Sequence, residues 1–160
     1  MVKELVIKTS NELSDMIKIY TIGFAKKSAR EFFDILEIAG VQKLIDIRLN
    51  NVSQLAGFTK RNDLEFFLDV IGNISYIHEP KFAPTQDILK AYRDKEISWS
   101  EYEENFFKLI SGRQIENIFL PEDLHNSCLL CSEVTSDKCH RRLVVEYLNS
   151  KWRNLHIKHL

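Results

Sequence analysis

The sequence has few residues that interrupt or cross-link a chain: three prolines, five glycines and three cysteines among 160 residues. It contains no proline- or glycine-rich linker and no internal repeat, so its length favours one domain around one core. No apolar run approaches the roughly 18 residues that a transmembrane helix needs. Lys8 and several polar residues interrupt the apolar run at the N-terminus, which argues against a signal peptide.

The small number of cysteines argues against a disulfide-stabilised protein, and the balanced charge argues against a strongly basic nucleic-acid-binding domain. An odd, sparse set of cysteines without secretory features indicates free thiols in a reducing compartment rather than a disulfide framework. The net charge of −1 lacks the basic excess of a typical nucleic-acid-binding domain, although a local basic patch stays open. We therefore expect a cytoplasmic protein with no membrane partner, whose oligomeric state the sequence does not indicate.

What the sequence does contain is an alternation of short apolar strands and amphipathic helices. The β-branched segment 17–23 predicts a buried strand, and 41–48 predicts a second. The helix between them is expected to begin at a capping box of Ser28 and Glu31 and to end at Gly40. A strand, a helix and a strand with short connections form a unit in which the two strands are parallel.

The rest of the chain continues this alternation. Further strands are predicted at 74–80 and 127–133, whereas 115–120 is ambiguous between strand and helix and 1–12 between an edge strand and a short helix. Four further helices are predicted. One spans 62–72 and ends at Gly72, and the next begins after the cap Thr85. A third runs from a capping box of Ser100 and Glu103 to Gly112, and the last begins at Lys138 after a cap at Ser136 or Asp137. The sum is a compact α/β domain over 1–160, with a mainly parallel sheet flanked by helices.

Residues that are informative about function stand at the ends of three predicted strands. Gly23 ends the first strand, Asp46 and Arg48 end the second, and Cys131 and Glu133 end a later one. Ligands of parallel α/β sheets bind at the carboxyl ends of the strands. Strand alternation places Asp46 and Arg48 on one face, and likewise Cys131 and Glu133. The simpler interpretation is a solvated arginine beside a loop-capping aspartate, but a carboxylate within an apolar strand is costly unless it is paired.

The segment that opens the last predicted helix faces the same edge. Its first turn should hold Cys139, His140 and Arg141, and the free N–H groups and dipole of a helix start favour an anion. The same field, with Arg141 adjacent, is expected to lower the pKa of Cys139. The alternative is a half-buried structural cysteine with a surface histidine and arginine.

The spacing of the three cysteines also raises the question of zinc. Alternation along the strand turns Cys128 away from Cys131, and adjacent Cys139 and His140 converge poorly on one ion. One other set of ligands stays open, namely Cys131, Glu133 and Cys139 with His78 or His125. We expect no bound metal and no other cofactor.

Taken together, these motifs resemble the domain of unknown function 488 family. The residues that carry the resemblance are TIGF (21–24), DIR (46–48), the region 91–110, and LLCSE (129–133) followed by CHRRLVVEYL (139–148). The resemblance extends over about 18–150 and implies a compact α/β domain with its site at these motifs. It implies no settled activity.

Two departures from the family pattern bear on the site. Members often continue Thr-Ile-Gly with His-Ser, whereas this chain has Phe24 and Ala25. Any chemistry that this histidine and serine contribute elsewhere would be lost here. Members also commonly carry a proline soon after Asp-x-Arg, and none follows Arg48 closely in this sequence.

The sequence leaves two main functions open. The first is an enzyme, or an enzyme-like pocket, for a small anionic or nucleotide-like ligand. Its candidate catalytic residues are Asp46 or Glu133 as general base and Cys131 or Cys139 as nucleophile or redox group, and its candidate ligand-binding residues are Gly23, Arg48, Tyr92, His140 and Arg141. The second is a non-enzymatic module that binds nucleic acid or a protein through Lys26–Lys27, 60–63 and 151–160. A purely structural role is a third, weaker alternative.

Overall fold

The computed structural model describes residues 16–52 and 56–160, and in them the predicted α/β fold is confirmed. Five parallel strands form one sheet, and helices cover both of its faces. The strands are β1 (Ile17–Gly23), β2 (Lys43–Asp46), β3 (Ser75–His78), β4 (Ser127–Cys131) and β5 (Leu155–His159). The helices are α1 (Ala29–Ala39), α2 (Arg61–Gly72), α3 (Gln86–Arg93), α4 (Trp99–Gly112) and α5 (His140–Trp152).

The order of strands in the sheet is β3-β2-β4-β1-β5, so β4 lies between the first two strands of the chain. Gly23 at the end of β1 pairs with Cys131 at the end of β4. On the other side of β4, Asp46 pairs with Leu130. This register places the ends of β1, β2 and β4, which the sequence singled out, along one edge of the sheet.

Each face of the sheet has its own apolar core. Helices α1 and α2 cover one face with Phe32, Leu36 and Leu68, and this core includes Cys128 and Leu130 of β4. Helices α4 and α5 cover the other face, where the core includes Leu129. The prediction that Cys128 points away from the face of Cys131 is therefore confirmed, because residues at even and odd positions of β4 enter different cores.

Several predicted helix ends are confirmed. Ser28 and Glu31 form a reciprocal capping box at α1, and Gly40 ends this helix in the left-handed region with φ 73°. The hydroxyl of Thr85 accepts a hydrogen bond from the N–H of Ile88 at α3.

Two predicted caps are wrong. Helix α4 is capped by Ser98 and Glu101 rather than by Ser100 and Glu103. Helix α5 begins at His140 after Cys139, rather than after Ser136 or Asp137. Arg142 donates to the carbonyl of Asp137 and also to the carboxylate of Glu103 on α4, 39 residues away in the chain, and these contacts help to hold the residues before α5 as a loop.

The other differences concern the ends of elements. The strands predicted at 41–48, 74–80 and 127–133 are shorter, and α2 is ended by Asn73 in the left-handed region rather than by Gly72. The ambiguous segment 115–120 contains a 3-10 turn over Ile115–Asn117, and the C-terminal segment contains β5. The prediction for 1–12 lies outside the described residues. Among the described residues, no helix is both long and apolar enough to cross a membrane.

Candidate functional site

A cavity of about 330 Å³ opens beside the carboxyl ends of β2 and β4. Its wall comes from four parts of the chain: the residues after β2, helix α3 with the residues before it, the first two turns of α4, and the loop from β4 to the start of α5. The side chains that matter for its chemistry are Arg48, Tyr92, Arg93, Trp99, Tyr102, Cys131, Glu133, Lys138, Cys139 and His140.

Arg48 is a buried cation in this wall, and only 4% of it is exposed. Its Nε and Nη2 donate to the two carboxylate oxygens of Asp46 at 2.8 and 2.6 Å, and Nη2 also donates to the carbonyl of Thr59 at 2.7 Å. Its Nη1 is buried and has no hydrogen-bond partner within the described residues. A buried N–H of a cation without a partner is costly, and Arg48 is one of the residues that line the cavity.

Asp46 is fully buried, and its carboxylate is already occupied. Besides Arg48, it accepts a hydrogen bond of 2.7 Å from the hydroxyl of Tyr76, which in turn accepts one from Asn51. Burial and the neighbouring carboxylate of Asp46 raise the pKa of Tyr76, so its hydroxyl stays a donor. The strand-end pairing of Asp46 with Arg48 is thus present, and this geometry makes Asp46 an anchor for the guanidinium.

The departure from the family pattern at Phe24 lies against the same guanidinium. Cζ of Arg48 is 5.4 Å from the centroid of the Phe24 ring, a cation–π distance. Phe24 is buried, and it packs with the core that α1 and α2 cover. The aromatic ring at this position therefore supports Arg48 from the side and brings no titratable group.

Arg141 organises the loop between β4 and α5. Its Nη1 lies 3.0 Å from Sγ of Cys131 and 3.7 Å from Sγ of Cys139, and donates to the carbonyl of Glu133 at 2.7 Å. It is 1% exposed and lies behind the cavity wall. The sequence placed Arg141 in direct contact with a ligand, whereas here its contacts are the two thiols and the loop backbone.

The two thiols of the wall differ in acidity. Burial opposes ionisation of Cys131, but the thiol of Cys139 and the charge of Arg141 outweigh it, and the pKa of Cys131 is lowered. The interaction with Cys131, together with burial, raises the pKa of Cys139. The prediction of a lowered pKa for Cys139 is therefore wrong, because the neighbouring Cys131 and burial outweigh the contacts with Arg141 that lower this pKa. The more acidic thiol is Cys131.

Gly23 makes room for the protein's own backbone. A Cβ atom built on Gly23 would lie 1.5 Å from the carbonyl oxygen of Glu133 and 2.6 Å from Nη1 of Arg141. The close approach that the sequence assigned to a ligand is here made by the loop after β4. Glu133 contributes this carbonyl, while its side chain is exposed at the cavity.

His140 and an aromatic cluster complete the wall. Nε2 of His140 lies 2.8 Å from the carbonyl of Ile47, which requires that this nitrogen carries the proton. Burial lowers the pKa of His140 to about 4, so the ring is neutral near pH 7. Tyr92 contacts Trp99 and Tyr102, with ring centroids 5.5 and 5.1 Å apart, and Trp99 stacks on Tyr102 at 4.9 Å.

Sequence reasoning missed several residues of this wall. Lys138, Trp99 and Tyr102 were not among the predicted ligand-binding residues. The region 91–110 carried part of the family resemblance, and its aromatic residues were the available signal for Trp99 and Tyr102. Lys138 was placed inside a helix, whereas it belongs to the loop that precedes α5.

The ligand set that the sequence left open for a metal is not assembled. Within the described residues, no group of three or more histidine, cysteine, aspartate and glutamate side chains could hold a metal ion. Nε2 of His78 lies 2.9 Å from the carbonyl of Arg48, and Nδ1 of His125 accepts from the N–H of Lys18 near the start of β1.

The fold and the cavity together define a class: an α/β protein with a parallel sheet and a candidate site at the carboxyl ends of its central strands. Within that class, the family model described as Domain of unknown function DUF488 matches residues 28–148, so the chain belongs to this family. The match includes DIR (46–48) and both segments at 129–148, whereas TIGF (21–24) precedes it. No curated protein and no solved structure gives a significant match.

Proposed function

We propose that the cavity binds a small anionic ligand with a flat group, of which a nucleoside monophosphate is an example. The observation that carries the proposal is Arg48, a buried cation of the cavity wall that Asp46 holds in place and whose Nη1 has no hydrogen-bond partner among the residues that the structure describes. A fixed guanidinium recognises a phosphate or carboxylate at little entropic cost, because its side chain is already ordered.

The remaining wall supports both halves of such a ligand. Arg93 and Lys138 add positive charge at the exposed rim, and the N-terminus of the 13-residue helix α5 faces the same space. Tyr92 and Trp99 are half-buried and offer an aromatic surface on which a base or another flat group can stack, while Tyr102 is buried against both rings. Cys131, with its lowered pKa, is the nucleophile of this site if the bound ligand is also a substrate.

Tryptophan fluorescence tests the proposal, because Trp99 lines the cavity and Trp152 is the other tryptophan in the chain. A Trp152→Phe variant leaves Trp99 as the reporter. Titration with AMP should change its emission at concentrations at least about tenfold lower than titration with adenosine, since a charge-assisted contact with Arg48 contributes roughly 1.5–3 kcal/mol.

Matched variants locate the binding. Arg93→Gln and Lys138→Gln in the Trp152→Phe background should each weaken AMP binding, and added salt should weaken it further. Arg30→Gln is the control, because Arg30 is an exposed arginine on α1, outside this cavity. Equal affinities for AMP and adenosine, or equal effects of the three variants, would contradict the proposal.

A basic module for nucleic acid is the second candidate. Lys26 and Lys27 follow the carboxyl end of β1, and Lys60 and Arg61 stand at the start of α2, so four cations lie near the same edge of the sheet. Under this candidate, a single-stranded RNA or DNA oligonucleotide binds with strong salt dependence, and Lys60→Gln combined with Arg61→Gln weakens it. Under the first proposal, this double variant binds AMP as the wild type does.

A further inference from the structure

Two cysteines of the cavity wall share one cationic partner. Cys131 and Cys139 are 1% and 2% exposed, both line the cavity, and Nη1 of Arg141 lies within 3.7 Å of both sulfur atoms. The third cysteine, Cys128, is fully buried in the core under α1 and α2 and does not line the cavity. A reagent that enters the cavity therefore meets two thiols and leaves the third untouched.

We propose that Cys131 and Cys139 form a two-thiol reaction centre that exchanges with small disulfides carrying carboxylate groups. The inference rests on the proposed anionic pocket for its choice of substrate, because Arg48, Arg93 and Lys138 line the cavity beside the thiols. It rests on the pair of sulfur atoms and on Arg141 for its chemistry.

The surroundings assign a different role to each sulfur. Arg141 stabilises a thiolate at Cys131, which makes Cys131 the attacking group. Negative charge on Cys131 raises the pKa of Cys139 and keeps this second thiol protonated. Once Cys131 has become part of a mixed disulfide, that charge is gone, and Arg141 is left to favour ionisation of Cys139. These contacts therefore set the order of the two steps, in which Cys131 reacts first and Cys139 second.

The exchange is balanced without a further oxidant. The Cys131 thiolate attacks one sulfur of the substrate, the substrate S–S bond breaks, and the first half leaves as a thiolate. The Cys139 thiol then loses its proton to solvent and attacks Sγ of Cys131, so that the mixed disulfide breaks and the second half leaves as a thiolate. The protein dithiol is oxidised by two electrons to a Cys131–Cys139 disulfide, and the substrate disulfide is reduced to two thiols.

The test compares three disulfides of similar size on the reduced full-length chain: dithiodipropionate, which is anionic, hydroxyethyl disulfide, which is neutral, and cystamine, which is cationic. Peptide mapping by mass spectrometry should find a Cys131–Cys139 bond with Cys128 still free. The rate with dithiodipropionate should exceed that with cystamine by at least about tenfold at low salt, because opposite charge raises the rate of encounter.

Variants separate the two steps. Cys139→Ser should accumulate a mixed disulfide on Cys131, Cys131→Ser should form no intramolecular bond, and Cys128→Ala should react as the wild type does. Circular dichroism checks the fold of each variant, and mapping of the wild-type bond needs no variant at all. No Cys131–Cys139 bond with any reagent, a bond that includes Cys128, or equal rates with anionic and cationic disulfides would overturn the inference.

Failure of the two-thiol chemistry can be distinguished from failure of the proposed anion binding. Binding of AMP in the fluorescence assay does not depend on thiol chemistry and is measured on the reduced protein without any disulfide reagent. If AMP binds but no thiol exchanges, the reaction centre is refuted and the pocket stands. If all three disulfides react equally and AMP does not bind, the anionic preference and the proposed function are both refuted.

Discussion

At the scale of single residues, the site depends on two buried arginines and the groups that each of them contacts. Asp46 and Arg48 hold each other with two hydrogen bonds inside the protein, and Arg141 is buried against two sulfur atoms and two backbone carbonyls. Burying a cation without a partner costs several kcal/mol. The partners therefore offset part of the cost of burying each cation.

Removing the charge of Asp46 should destabilise the protein strongly. Asp46→Asn leaves Arg48 buried without its anion, and the expected loss in the free energy of unfolding is about 3–5 kcal/mol in urea titrations. The matched control is Glu104→Gln, which removes the exposed ion pair of Glu104 with Lys108. That change should cost less than about 1 kcal/mol. Similar small losses for both variants would show that the Asp46–Arg48 pair contributes little to the fold.

His140 should make the protein less stable in mild acid. Its pKa of about 4 in the folded protein lies below the ordinary value of 6.5, so the unfolded chain binds more protons between these pH values. Stability contributed by the neutral ring is fully present above about pH 6.5 and declines as the pH falls towards 4. The slope from this one group is at most about 1.4 kcal/mol per pH unit.

The measurement is urea unfolding at pH 7, 6 and 5 for the wild type and for His140→Gln. Glutamine keeps an N–H donor but does not titrate, so the variant should lose less stability over this interval than the wild type. Parallel pH profiles would contradict the assignment of the acid sensitivity to His140. Burial also lowers the pKa of His159, so this residue adds a loss of stability in acid to both proteins alike.

At the scale of elements, the decisive contact is between the end of β1 and the loop from β4 to α5. The carbonyl of Glu133 occupies the space where a side chain at position 23 would lie, and Arg141 holds that carbonyl. Two further backbone hydrogen bonds, from Phe24 to Cys131 and from Ala25 to Ser132, join the two segments. The loop that carries the thiols is therefore positioned by the backbone of β1.

A methyl group at position 23 should disturb this loop. Gly23→Ala is expected to lower the free energy of unfolding by about 1–3 kcal/mol, because the nearest obstacle is backbone that cannot rotate away. Gly112→Ala is the control, since no described atom outside its chain neighbours and its own helix backbone lies within 4 Å of a Cβ at this last residue of α4. It should be neutral or stabilising by up to about 1 kcal/mol. Chemical denaturation measures both, and equal effects would contradict the close packing at Gly23.

Sequence reasoning succeeded where the signal was local. The capping box of Ser28 and Glu31, the left-handed Gly40 and the alternation that separates Cys128 from Cys131 all act within a few residues, and the structure confirms them. The predicted start of α5 was wrong because the loop before this helix is held by Arg142, which also binds Glu103 of α4, 39 residues away in the chain. Such a contact leaves no periodic pattern in the sequence.

At the scale of the whole molecule, the site exists because β4 lies between β1 and β2. This order joins segments more than 80 residues apart in the chain, and it brings Cys131 between Gly23 and the strand of Asp46. A sequence pattern predicts that strands exist but not which neighbours they choose. For the same reason, the contribution of Trp99 and Tyr102 from α4 became visible only with the fold.

A crystal structure determined with AMP would show whether a small anion binds at this edge of the sheet. We predict the phosphate within hydrogen-bond distance of Nη1 of Arg48, with the base against the aromatic surface of Tyr92 and Trp99. A nucleotide bound elsewhere, such as at Lys60 and Arg61, or an empty cavity at saturating AMP would contradict the proposed anion site.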